Sequence, residues 1–159
     1  MKITIAGIGK IKEKWMRDGI REYVTRLAPM AKIQICEQDE EKMPVNPSDA
    51  IKEKVMEKEG EKILRYIQPD DFVILLDTAG KELSSPDLSK LLEKQMVLGK
   101  SSFTFLIGGP FGNGNNLKER ADFQLCISRM TFTHQMARLI LAEQIYRAMK
   151  IMRNEPYHL

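Results

Sequence analysis

The run FLIGGPFGNG, residues 105–114, sets four glycines and one proline at the end of an apolar, β-prone stretch. Glycine lets a backbone bend freely and lets a ligand come close; proline fixes the chain. A little further on, ISRMTFTHQMARL passes from a strand-like run almost directly into a helix pattern. Thr131 or Thr133 can cap that helix, whose first turn would offer unpaired amides and a positive dipole end. His134 stands there, where the dipole favours the neutral imidazole that a general base requires. Arg138, one turn later, has two open readings: a cation for a phosphate or enolate-like oxygen, or an ion pair with Glu143 or another acid. The two loops, 108–114 and 127–133, predict a pocket that reads its ligand through main chain more than through side chains. The segment 76–81 joins them if its strand is adjacent.

The familiar nucleotide loops do not fit. A dinucleotide fingerprint needs G-x-G-x-x-G between a first strand and a full helix. Here Gly112-Asn113-Gly114 is followed by Asn115, Asn116 and Leu117, so the third glycine is missing. A phosphate-binding loop of the G-x-x-x-x-G-K-[ST] type lacks its lysine, and Gly7-Ile8-Gly9-Lys10 is too short for either motif. Cys36 and Cys126 each sit alone in an apolar run and make no metal spacing with His134 or His158, so they read as buried small hydrophobes and no metal is expected.

Apolar runs alternate with helical patterns to position these loops. Strands are predicted at 3–9, 32–38, 71–77, 101–109 and 123–130. A helix over 12–28 places Met16, Ile20, Tyr23, Val24 and Leu27 at helical spacing. A solvated acidic loop after residue 38 leads to a second helix, started by Asn46-Pro47 and reaching about 67, with an exposed middle, EKEGEK. TAGKELS reads as a loop. Ser85-Pro86 caps a third helix with Leu88, Leu91, Leu92 and Met96 on one face. A short helix lies near NNLKERA. The last helix begins at about 133, carries Leu141, Ile145, Ala148 and Met152 along one side, and stops before Pro156. This order predicts an α/β domain, 1–159, with a mostly parallel sheet flanked by helices and ligand sites at the carboxyl ends of strands.

The 159 residues are 43% hydrophobic and 30% charged, as in a globular chain with a core. No run suits a membrane helix, and MKITIAGIGKIKEKW reads as a first strand rather than a leader, so a cytoplasmic protein is expected. The net charge is +3. It gathers in the last segment, where Arg129, Arg138, Arg147, Lys150 and Arg153 face only Glu143 and Glu155. That segment is either a polyanion contact or a solvated basic helix face.

LLDTAGKELSS, FLIGGPFGNG, LCISRMTFTHQMARLILAEQIYRAMKI and the terminal NEPYHL, in that order over the whole chain, resemble the RlmH family of SPOUT-superfamily methyltransferases. That family methylates N3 of a pseudouridine in large-subunit (23S) ribosomal RNA. The resemblance implies an α/β fold with a C-terminal trefoil knot, a rare exception to unknotted topology. It implies S-adenosyl-L-methionine as cofactor, held by Leu76, Gly108, Ile127, Ser128, Arg129, Met130, Thr131 and Phe132. It also implies a homodimer with a shared RNA site, and the ribosome as partner. His134, Arg138, Tyr157 and His158 are then the candidates for catalysis, the last two in a tail that closes over the site. Lys12 and Lys14 are further candidate RNA contacts. Two alternatives stay open: a SPOUT methyltransferase acting on another RNA base, and a non-enzymatic ribosome-binding factor.

Overall fold

The computed structural model describes residues 1–157. Five parallel strands form one sheet: β1 (Lys2–Ile8), β2 (Lys32–Gln38), β3 (Phe72–Glu82), β4 (Ser102–Ile107) and β5 (Phe123–Cys126). Their order in space is β2-β1-β4-β3-β5. The helices are α1 (Lys14–Leu27), α2 (Asp49–Leu64), α3 (Ser85–Val97), α4 (Asn115–Arg120) and α5 (His134–Met152).

The inner strands are rich in β-branched and aromatic residues and buried on both faces, as parallel strands between two helix layers must be. The period of two divides them. Ile3, Ile5, Ile74, Phe103 and Phe105 point to one face, where Leu27 of α1, Leu88 and Leu92 of α3, and Leu141 and Ile145 of α5 cover them. Ala6, Ile8, Val73, Leu75 and Leu106 point to the other, under Ile63 of α2 and Leu117 of α4. Among the described residues no helix is long and apolar enough to cross a membrane.

Several local readings need correction. Asn46 does not cap α2. It sits at φ +50°, and Ser48 caps the helix by accepting the Ile51 N–H at 3.3 Å. Ser48→Ala is expected to cost about 1 kcal/mol, read from urea melts. The middle of α2 is exposed only on one side, at Lys58 and Glu61. Glu59 and Gly60 are buried, because α4 packs there and Asn116 fills the space beside Gly60. Ser84, not Ser85, caps α3. TAGKELS is not simply a loop: β3 bulges out after Leu76 and returns to pair Lys81 with Leu125 and Glu82 with Cys126. Conversely β5 stops at Cys126, and residues 127–133 form a loop.

Candidate functional site

Strands β4, β3 and β5 are neighbours, and Leu76 pairs with both Ile107 and Leu125. Their carboxyl ends therefore open at one sheet edge, and the three loops predicted to meet do so. They enclose a cleft of about 980 Å³. Seven of the eight expected cofactor residues line it: Leu76, Gly108, Ile127, Ser128, Met130, Thr131 and Phe132. Arg129 does not. Its side chain is 88% exposed and lies 3.7 Å from Glu82, so it faces outward.

The geometry of the cleft comes from a few fixed points. Gly112 at φ +104° turns the β4 loop back, its N–H donating to the Gly109 carbonyl. Asn113 Nδ2 then donates to the Leu76 carbonyl at 2.8 Å and to Asp77 at 3.0 Å, clamping the β4 loop to the β3 bulge. Asn113 Oδ1 is buried without a partner. A Cβ on Gly108 would run into that amide oxygen and lie 2.7 Å from the Gly112 carbonyl, so this backbone approach requires glycine. On the far wall Ser128 Oγ accepts the Met130 N–H, and Thr133 caps α5 by accepting the Met136 N–H. Met130 and Phe132 leave 75% and 40% of their surface exposed at the cleft. Apolar side chains, main-chain groups and an orphaned amide oxygen suit a nucleoside-sized ligand with a flat ring and polar edges. Among the described residues there is no group of three or more His, Cys, Asp or Glu that could hold a metal.

His134 lines the same cleft at the start of α5. Its imidazole pKa is lowered, first by burial and then by the charge of Arg138, partly offset by Glu40. The neutral form expected from sequence is thus favoured, with burial its leading cause. Lys12 also borders the cleft, whereas Lys14 turns to Asp18.

Arg138 is a correction. It is 2% exposed, with its guanidinium spent on Glu37 at 2.8 Å and on the carbonyls of Ile8 and Gly9 at 2.6 Å each. It ties α5 to the ends of β1 and β2 and does not line the cleft. Its other reading, an ion pair with an acid, holds with Glu37 in place of Glu143, whose partner is Arg147, and the pair is buried rather than on the surface. Tyr157 does not close over its own cleft. It stacks edge-on against Tyr146 and donates to Glu143 at 3.2 Å, roughly 14–18 Å along α5 from His134. Burial first, then hydrogen bonding, pushes its phenol up to about 12. His158 lies outside the described residues. Sequence reasoning missed Asn113, Asp77 and Glu40. Only the Asn-Gly turn signal marked the first of these.

A family model described as "Predicted SPOUT methyltransferase" matches residues 1–158. A protein of Carboxydothermus hydrogenoformans named "Ribosomal RNA large subunit methyltransferase H" is 51% identical over 158 residues, 99% of either chain. Proteins of the same name from Halothermothrix orenii and Desulforamulus reducens are each 46% identical over the same share. A solved structure from Haemophilus influenzae, described as a probable methylase family protein, superposes with a TM-score of 0.50 at 12% identity. The match covers 99% of this chain and 70% of that one and speaks for the fold.

Proposed function

The chain belongs to the SPOUT methyltransferase family, and from that premise we propose that it methylates N3 of a pseudouridine in 23S ribosomal RNA, using S-adenosyl-L-methionine. The observation that carries this reading is the cleft itself, where three strand-end loops meet beside a half-buried histidine whose pKa is lowered by burial.

When bound, the cofactor supplies an electrophilic methyl group for an in-line displacement. The chain supplies position, dryness and a proton acceptor. Gly108 and the Asn113 clamp hold open the floor, and Leu76, Ile127, Met130 and Phe132 give apolar walls. Ser128 and Thr131 add hydroxyls, and Arg129 lies outside beside Glu82, exposed enough to meet RNA phosphate. The N3 proton of the base must leave, and His134 accepts it. Buried Arg138 fixes the helix that presents His134.

The proposal includes a cytoplasmic homodimer acting on the assembled ribosome. Tyr157 lies far from its own cleft, which supports a tail that serves the neighbouring subunit, together with His158. It also includes the knot, formed by the loops after β3, β4 and β5 around the cofactor.

The test is methyl transfer from radiolabelled cofactor to ribosomes, to separated large subunits and to particles lacking pseudouridine in 23S RNA. Label is expected only where pseudouridine is present. No label, with no cofactor binding by calorimetry, would leave a non-enzymatic ribosome-binding factor. His134→Ala is expected to lower turnover about 100-fold with the fold retained, and Tyr157→Phe to lower it less.

A further inference from the structure

We propose that Glu40 is a positioning residue for His134: it takes the proton-bearing Nε2 side of the ring and leaves Nδ1 as the nitrogen that accepts the substrate proton. This rests on the methyl-transfer reading and names how its base is prepared.

The placement begins with the acidic segment after β2, a solvated loop by composition. The structure straps it down. Lys62 of α2 donates to the Asp39 carbonyl at 2.8 Å and pairs with the Glu41 carboxylate at 2.7 Å. Lys10 pairs with Asp39 at 3.0 Å. Glu59, 2% exposed, accepts the Glu41 N–H at 3.0 Å. With its two neighbours held, the side chain between them reaches across to α5. Glu40 Oε1 stands 3.3 Å from His134 Nε2.

The pair sits on Gly9, at the end of β1. Gly9 has φ +82°, and a Cβ there would lie 2.7 Å from both Glu40 Oε1 and His134 Nε2. No other residue leaves the space the pair occupies. His134 Nε2 is buried and makes no aligned hydrogen bond, so a small rotation of either side chain completes the contact. Neutral imidazole carries one proton, and beside a carboxylate it belongs on Nε2. The free lone pair is then on Nδ1. In the reaction the N3–H bond would break with its electron pair left on N3 and an Nδ1–H bond would form; the N3–carbon bond would form as the methyl–sulfur bond breaks with its pair kept by sulfur. The resulting imidazolium is balanced by Glu40 and returns its proton to solvent.

The other charges around the ring make Glu40 necessary. Lys12, from the loop after β1, and Arg138, from the same helix, both oppose a positive imidazolium. Glu37 of β2 is engaged by Arg138. Glu40 is the acid that acts directly on the ring.

The experiment is an NMR titration of the imidazole carbons and nitrogens in the full chain, alongside pH–rate profiles. The sequence holds two histidines, so a His134→Gln spectrum identifies the line. In Glu40→Gln the His134 midpoint is expected to move to lower pH, and the wild-type Nε2–H tautomer to give way to a mixture. The kcat plateau should fall roughly tenfold and the ascending limb should shift to lower pH with the NMR midpoint, while KM for cofactor stays put. Glu40→Asp should recover most of the rate. An unchanged midpoint and tautomer in Glu40→Gln would overturn the proposal whatever the activity. Full turnover in His134→Ala would instead overturn the base reading beneath it, and the NMR result separates the two failures.

Discussion

Arg138→Ala is expected to destabilise the protein by about 3–5 kcal/mol, the range for removing one partner of a buried charge network. Three acceptors converge on this guanidinium: Glu37, Ile8 and Gly9. With alanine, two strand-end carbonyls lose this buried donor, and Glu37 loses its cation while keeping the Ile11 N–H. The fall in Tm should be on the order of 10 °C. Arg138→Lys keeps a charge but not the fork, so it should recover only part of the loss. Urea melts at neutral pH decide the matter. A loss below about 1 kcal/mol would mean that β1 and β2 find other partners. The consequence for turnover is larger than the distance to the cleft suggests, because Arg138 seats the first turn of α5 and His134 with it.

Gly108→Ala is expected to weaken cofactor binding by about 100-fold, equivalent to ~2.7 kcal/mol, with the fold largely kept. The new methyl would strike the Asn113 amide oxygen and crowd the Gly112 carbonyl. Asn113 must then release Leu76 or Asp77, and the floor of the cleft lifts into the ligand's space. Gly99→Ala provides the contrast. It has φ +92° but nothing within 4 Å of a Cβ. It should cost about 1 kcal/mol of stability and leave binding alone. Calorimetry with S-adenosyl-L-methionine on both variants tests this. Equal affinities would show that the glycine loop does not hold the cofactor.

The sheet was legible because its signals are local. Ile74, Phe103 and Ile5 lie in apolar runs that only a strand covered on both faces can use, and the glycines at 108 and 109 mark where one such run must end. Where the loops meet followed from the same places, since a short link from strand to helix leaves little choice of where residues 127–133 lie; the individual cofactor candidates came from the family resemblance alone. The charged interior was not legible. Arg138 meets Glu37 across 101 positions of sequence and Ile8 across 130. Glu59 sits in a run of lysines and glutamates whose composition says solvent, yet one of its faces meets the segment after β2. A charge is read as exposed by default, and only tertiary packing overrides that. The misplaced cap at Asn46 has a different cause. Asn-Pro and Ser-Asp both satisfy the rules for a helix start, and the left-handed backbone at Asn46 postpones the first turn by two residues.

The strand order carries a consequence for how the chain is made. β4 lies between β1 and β3, and Lys2 pairs alongside Ser102. During synthesis β1 and β2 emerge early, yet the strand that joins them to the rest of the sheet appears only after about a hundred residues. Until then β1 and β3 each present an unpaired edge of buried-type side chains, the kind of surface on which nascent chains stick to one another. Folding that waits on a contact so distant in sequence is slow. A stalled or truncated product ending before β4 would therefore be an aggregation-prone fragment rather than a half-built domain.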